Sequence, residues 1–464
     1  MNTIRWTRRS IKDFYSRCPS RMVSYSTGSQ QAPGKWLQRV LDDRTEPPRL
    51  YAWTLANLAE GASRVKVLSD VTKASKQDDE RRRIYVLGVG NIGRLCASFL
   101  AKITPKPPIT LVVHRRELLE HWKTQPGIGL VRDGKPERNA QFDIEWWTDA
   151  KPSVGLVKEP GSGAGIKNLI VATKAADALP QVDRLRRYLN ADSTVAFTQN
   201  GMCKLWPPLG EVYVSARYPG GTGPKWLACV TTHGVTSLGP FRSVHASPAN
   251  VLVGTVMGGD DDVRSGPGSD YLAEQIVAAP GLAARRVATG KLWVAQLEKL
   301  VVNSVINPLT AVLRCKNGEI FEGGDDGLPD VIDVLVEEAS RTLRALVLHP
   351  SSDAILGKEG RVSGSTTGDL RGTREELIER FSFVRLKTML YDVGAKVAEN
   401  TSSMLQDVRA GKRTEIEDFN GWLVETARYL GDHRGLPAHE KLISLVVEGK
   451  ALTRDELSKY LLRS

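Results

Sequence analysis

Lys299, Asn303 and Asn307 recur at intervals of four in the segment KLWVAQLEKLVVNSVINPLTAVLRCKNGEIF. On a helix that spacing stacks one amine and two carboxamides on a single face. The rest of the helix carries Trp293, Val294, Leu297, Leu300, Val301, Val302, Val305, Ile306 and Leu309, apolar nearly all round, as buried helices are. Asn is a poor helix former because its side chain competes for backbone groups. A solvated stripe uses Glu, Lys or Gln more readily, so the pattern predicts the wall of a polar cleft. A surface face built from Asn is the competing reading. A lysine in such a cleft suits carbonyl reduction. Hydride reaches the carbonyl carbon, negative charge develops on oxygen, and a nearby ammonium supplies the proton. Partial burial lowers the amine's pKa and makes it a better donor near neutral pH. Pro308 cannot donate to the carbonyl of Ser304 and is expected to bend the helix.

A second constellation is Gly88-Val89-Gly90-Asn91-Ile92-Gly93, a G-x-G-x-x-G run after the apolar IYVL and before the helical pattern of RLCASFLAKI. In that context it predicts a phosphate-binding turn. The first glycine permits the turn, the second leaves room for a pyrophosphate, and the third lets helix and strand pack. The free N–H groups at the helix start favour an anion. The next strand ends in VVHRRE, with Arg115 and Arg116 where NAD-binding sites usually place an acid. A guanidinium binds a 2′-phosphate bidentately, so NADP(H) is the expected cofactor. A solvated basic loop is the alternative.

These groups need elements to hold them. Short strands are predicted in IYVLGVG, PITLVVHRR, DIEWW, NLIVATKA, STVAFTQNG, WLACVTTHGV and NVLVGTVM, alternating with helical patterns. After Lys291 strand signals largely stop. The fold class expected is an α/β Rossmann-like dinucleotide-binding domain over residues 81–288, then an all-α domain over 289–464 that carries the substrate and catalytic residues. Residues 1–30 are rich in Arg and Ser, with Asp13 their lone acid, and read as a mitochondrial targeting segment; a cytoplasmic chain with a basic tail is the alternative. Residues 31–80 read as an extension and linker with a helical patch around LYAWTLANLAEGASRV. Residues 351–373 read as a Gly/Ser/Thr-rich surface loop. Ser402 or Ser403 suits a helix N-cap, and Thr414 with Glu417 fits a capping box. Glu415 is then a first-turn acid favoured by the helix dipole. Asn200–Gly201 follows a strand, as a plain turn or as part of a ligand crevice.

The segments KLVVNSVINPLTAVLRCKNGEI and ENTSSMLQDVRAGKRTEIEDFNGWLV resemble the two signature segments of the ketopantoate reductase family. The glycine turn, VATKAAD and TQNGM resemble the family's N-terminal half, so the likeness spans roughly residues 84–450. It implies NADPH-dependent reduction of 2-dehydropantoate (ketopantoate) to pantoate, a step towards pantothenate and coenzyme A. Lys299 then corresponds to the general acid, and Glu415 to the acid that orients the substrate or the lysine. Asn303, Asn307, Asn400 and Ser403 correspond to positions that hold the keto acid's carboxylate and hydroxyl, with Asn317 in the same region. Lys174 and Asn200 correspond to positions near the cofactor's nicotinamide and ribose–phosphate portions, and Arg115 to the arginine on the 2′-phosphate. The alternatives are a reductase of another branched 2-keto acid, or a catalytically silent NADP-binding organellar regulator.

Composition narrows the remaining classes. The chain has 464 residues, enough for two or three domains, with 41% hydrophobic and 25% charged residues. No apolar run is long enough for a membrane span. The net charge of +11 comes without a zinc-finger, basic-heptad or aromatic RNA-binding signature, so no nucleic-acid partner is expected. The five cysteines form no C-x-x-C pair and the seven histidines no ligand spacing, so no metal is expected. The partner expected is a small 2-keto acid, with a homodimer left open.

Overall fold

The structure, a computed structural model, describes residues 35–58, 79–163, 165–257, 270–324, 326–357 and 370–463. The expected targeting segment, most of the expected linker and the middle of the 351–373 loop lie outside the described residues. In chain order the strands are β1 (Tyr51–Trp53), β2 (Ile84–Leu87), β3 (Ile109–Val113), β4 (Ile128–Arg132), β5 (Lys135–Asn139), β6 (Asp143–Thr148) and β7 (Asn168–Val171). There follow β8 (Thr194–Phe197), β9 (Lys225–Thr231), β10 (Gly234–Ser237), β11 (Arg242–Ser247), β12 (Val251–Met257) and β13 (Ala284–Arg286). They build a nine-stranded sheet of order β1-β6-β3-β2-β7-β8-β9-β12-β13 and a four-stranded one of order β10-β11-β4-β5.

The centre of the large sheet is parallel from β6 through β9. Every residue of β2, β3, β7 and β8 is buried. That is why these strands read as continuous apolar runs, since both faces are covered. Alternate side chains serve two cores. Ile84 and Val86 point to the face packed by the helix Asn91–Leu100. Tyr85 and Leu87 join a core that continues into the helical domain through Leu292, Leu297 and Val301. From β2 the chain goes first to β3 on one side and later to β7 on the other. The C-terminal end of β2 therefore sits at a topological switch point, where open α/β sheets bind ligands.

The glycine turn occupies that end. Gly88 has φ +93°, and a Cβ on it would lie 2.8 Å from the Thr173 N. A Cβ on Gly93 would lie 2.0 Å from the Gly88 carbonyl oxygen, so helix and strand touch there. A Cβ on Gly90 would meet no atom within 4 Å. Val89 packs against the core beneath the turn. Arg94, buried at 4% exposure, braces the helix by donating to the carbonyls of Gly239 and Arg242, each at 2.6 Å, and to Asn91 Oδ1 at 2.8 Å.

The N-terminal extension differs from its expected form. Tyr51–Trp53 is a strand, not a helix, and pairs antiparallel with β6, followed by a 3-10 turn at Leu55–Leu58. Leu50 and Ala52 are buried, while Tyr51 and Trp53 are partly exposed, so the operative period is two. The β4–β5 hairpin, which the strand reading passed over, turns through Asp133 and Gly134, both with positive φ.

The helical domain begins with Thr289–Leu313, which runs on through Pro308. Around it pack Leu328–Leu348, Phe383–Lys396, Ser403–Arg409, a π turn at Glu417–Gly421, and helices Trp422–Tyr429, Pro437–Val447 and Arg454–Leu462. The start of the expected 351–373 loop is also structured. Residues 350–352 form a 3-10 turn and Asp353–Leu356 a helical turn, with Ile355 and Leu356 buried. Two substitutions separate packing from binding in the glycine turn. Gly93→Ala should cost about 1–3 kcal/mol of overpacking and lower the melting temperature. Gly90→Ala should melt like the parent yet lose the thermal shift expected on adding NADPH. Equal melting of the two variants without ligand contradicts the assignment.

Candidate functional site

Thr289–Leu313 leans its N-terminal half on the sheet, and that contact places Lys299 at the domain junction. Lys299 Nζ donates to Asn200 Oδ1 at 2.8 Å and to the carbonyl of Thr231. Asn200 follows β8 and Thr231 ends β9, so both acceptors come from the first domain. Burial pushes the Lys299 pKa down to about 8, while the negative Glu415 works in the opposite sense. Gln296, one turn earlier and buried, was not singled out by the sequence. Its Nε2 donates to the Gly201 carbonyl at 3.2 Å, and its Oε1 accepts from Trp206 Nε1 at 2.6 Å. A polar residue three positions before Lys299 in an apolar helix was the available signal. Gly201 has φ +80°, and a Cβ there would lie 2.8 Å from the carbonyl of Asp418. The Asn200–Gly201 turn is thus wedged between the lysine helix and the π turn. Beside it lies a small pocket lined by Ala178, Leu179, Phe197, Asn200, Met202 and Gln296, among others.

Glu415 is 7% exposed at the entrance to the π turn. It faces the start of helix Ala175–Arg184, with Oε1 accepting from the Ala175 N–H at 3.4 Å and Oε2 3.9 Å from Lys174 Nζ. A carboxylate at a helix N-terminus is held by the dipole there. Lys174 donates more closely to Asp407 Oδ2, at 2.6 Å. Burial works against its charge, but Glu415 and Asp407 together hold its pKa above the ordinary lysine value. Asp418 adds a third acid that the sequence did not flag. Burial raises it to about 6, with Lys204 at 4.0 Å opposing.

The amide stripe continues from Lys299 along the helix. Asn307 lies eight residues on, about 12 Å by helical rise, and is 8% exposed; Asn303 is partly buried between them. Among the described residues neither side-chain amide has a protein hydrogen-bond partner. The Asn317 N–H donates to the Asn400 carbonyl at 3.0 Å, and Asn317 Oδ1 is buried without a partner. Ser402, not Ser403, is the N-cap. Its Oγ accepts from the Leu405 N–H at 3.1 Å and from the Thr310 hydroxyl at 2.7 Å. Ser403 is exposed in the first turn of its helix. The Thr414–Glu417 capping box does not form, because the chain enters a π turn capped at Ile416 without a side-chain bond. Thr453 and Glu456 make a capping box instead. His233 pairs with His245 at 3.0 Å and with the Leu282 carbonyl at 3.0 Å.

At the other end of the crevice, Asn91–Leu100 begins at exposed Gly90 with no side-chain cap. Asn91 is held by the Val235 carbonyl at 3.0 Å, and Ile92 is partly buried behind it. Arg115, at the end of β3, is exposed and only 4.0 Å from Glu117. Arg116 is spent on Glu120 at 2.8 Å and on the face of Trp53. Uncapped N–H groups, an open Gly90 and an exposed guanidinium suit the phosphates of a dinucleotide. Among the described residues no cluster of His, Cys, Asp and Glu could hold a metal, and no helix is long and apolar enough to cross a membrane.

Comparison with known proteins agrees with this layout. Residues 84–258 match the family model described as Ketopantoate reductase PanE/ApbA, and residues 291–449 match its C-terminal counterpart. Ketoisovalerate reductase BEA2 of Gibberella fujikuroi is 43% identical over 94% of this chain and 100% of its own. A probable 2-dehydropantoate 2-reductase of Schizosaccharomyces pombe is 27% identical over 75% of this chain and 91% of its own. The solved structure of a probable 2-dehydropantoate 2-reductase from Bacillus subtilis shares the fold, with a TM-score of 0.52 at 20% identity, over 79% of this chain and all of that one. With both of its domains matched and a relative aligned end to end, the chain belongs to the ketopantoate reductase family of oxidoreductases.

Proposed function

We propose that the chain reduces a branched 2-keto acid with NADPH, and that 2-ketoisovalerate is a better substrate than ketopantoate. The observation that carries the reductase reading is Lys299, an amine with a depressed pKa held at the domain junction by Asn200 and Thr231. The substrate preference is supported by the 43% identity to a ketoisovalerate reductase against 27% to a dehydropantoate reductase. It moves the reading from ketopantoate to the alternative.

In this reading a nicotinamide cofactor, when bound, would supply the hydride for the carbonyl carbon. The chain's residues do the rest. The Lys299 ammonium gives a proton from Nζ to the carbonyl oxygen as the C–O double bond becomes single. Asn200 then keeps the neutral amine aimed at the product hydroxyl. Asn303 and Asn307 offer unpartnered amide N–H groups to the carboxylate, joined by Asn317, Asn400 and Ser403 at the far end of the stripe. Glu415 keeps the ammonium charged before transfer and anchors Lys174 beside the cofactor. Gly88, Gly90 and Gly93 make room for the pyrophosphate, and Arg115 pairs with the 2′-phosphate. Mitochondrial import is proposed from the Arg- and Ser-rich residues 1–30 alone, and a reporter fused to residues 1–35 that stays diffuse in the cytosol rejects it.

The donor must be protonated, so kcat/KM should be level below about 8 and fall tenfold per pH unit above it. Lys299→Ala should lower kcat by about 10²- to 10⁴-fold with NADPH still bound. Glu415→Gln should move the alkaline limb to lower pH, since it removes the charge that favours the ammonium. A limb unmoved in both variants rejects this assignment of roles. Arg115→Ala should raise KM for NADPH and leave KM for NADH as it was; parallel changes exclude contact with a 2′-phosphate. The two keto acids differ by a hydroxymethyl group on the branching carbon. A site built to bond that hydroxyl rejects the analogue lacking it by about 10⁴-fold, whereas an apolar pocket discriminates only about 10²-fold. A higher kcat/KM for 2-ketoisovalerate supports the proposal, and an equal or higher one for ketopantoate overturns it.

A further inference from the structure

Pro308 leaves a gap in the hydrogen-bond ladder of Thr289–Leu313, because proline has no N–H to give the carbonyl of Ser304. The gap is filled from outside the helix. Asn420, fully buried within the π turn Glu417–Gly421, donates from Nδ2 to that carbonyl at 2.9 Å. The same Nδ2 lies 2.9 Å from His439 Nδ1. Chemistry fixes the amide's orientation, since a carbonyl oxygen only accepts and the nitrogen must face it. Burial pushes His439 down to about 4, so at neutral pH its Nδ1 accepts while Nε2–H donates to the Leu335 carbonyl at 3.1 Å. Glu338 completes the network by accepting the backbone N–H groups of Ala438 and His439 at 3.1 and 3.2 Å. None of these groups reaches the crevice. Among the described residues Asn420 Oδ1 is buried with no partner, so the site bears an unpaired acceptor to keep the two donated bonds.

The amide therefore ties together three elements. These are the lysine helix just beyond Asn303, the π turn that follows Glu415 and contains Asp418, and the helix Pro437–Val447. A π turn holds one residue more than an α turn and recurs at functional sites. Its relaxation to α geometry would rotate the residues before it by about 100° about the axis, carrying Glu415 away from Lys299.

We propose that Asn420 is a positioning residue for the reduction, replacing the N–H that Pro308 lacks and so fixing the spacing between Lys299 and Glu415, which leads into the π turn. The proposal rests on Lys299 as proton donor. The test is a double-mutant cycle with Asn420→Leu, which keeps the volume and removes both donors, and Pro308→Ala, which restores an N–H for Ser304. In the parent background, Asn420→Leu should lower kcat on 2-ketoisovalerate by about 10- to 100-fold per folded enzyme. The NADPH KM should stay the same, and the alkaline limb of the pH profile should move to lower pH. In the Pro308→Ala background the same change should cost less than about 3-fold and a smaller drop in melting temperature. Should Asn420→Leu fail to fold, Asn420→Ser, with a hydroxyl donor and room for a water, enters the same cycle with the same expected coupling. The proposal is overturned by folded variants with parental kcat and alkaline limb, or by equal losses in both backgrounds. The melting arm needs no substrate, so it tests the clamp even if no keto acid is reduced and the functional reading fails.

Discussion

Everything in the crevice is arranged around one charge carried across a domain boundary. The Lys299 ammonium leaves the helical domain and finds its two acceptors, Asn200 Oδ1 and the Thr231 carbonyl, on the sheet. Removing an amine from water disfavours its charged form, and neutral dipoles repay only part of that loss. The balance is an acid that parts with its proton readily and is still mostly protonated at neutral pH. Full pairing with a carboxylate would have pushed the pKa the other way, as it does for Lys174 beside Asp407 and Glu415. Two lysines, both at the junction, are thus tuned in opposite directions by what they touch.

That tuning requires the domains to be held in register. One apolar core runs unbroken from Leu87, Val171 and Phe197 of the sheet to Leu297 and Val301 of the lysine helix. Over it, polar contacts set the fine spacing. Gln296 holds the Gly201 carbonyl, and Gly201 lies against the Asp418 carbonyl so closely that any Cβ would collide. The π turn is pinned from behind by Asn420 through the carbonyl that Pro308 leaves open. The proline therefore exchanges an internal helix bond for a tertiary one, and the helix runs on through it to Leu313.

Much of this was legible in the residues, for identifiable reasons. Strands buried on both faces leave apolar runs, and Gly88 and Gly93 are dictated by a positive φ and two close approaches, so β2, β3, β7, β8 and the turn between β2 and its helix stood out. Lys299, Asn303 and Asn307 stood out because amides are costly in an apolar helix. Edge elements did not. β1 is three residues long, and β5 is exposed at four of five positions, so neither has a core pattern to betray it. Contacts between distant residues were also invisible. Ser304 and Asn420 lie 116 positions apart, and nothing local marks Asn420 or Asp418 as a partner. The capping box at Thr414 was misread because its spacing is local while the π turn is imposed by tertiary contacts. At Thr453, where nothing competes, the same spacing formed one.

The most direct test is the titration of Lys299 itself in the folded protein. Lysine side chains labelled with carbon-13 at the ε position and followed by NMR should show a resonance titrating near 8 that is lost in Lys299→Arg. If every lysine resonance titrates near the ordinary value of about 10.4, the ammonium is solvated and the account of the site is wrong.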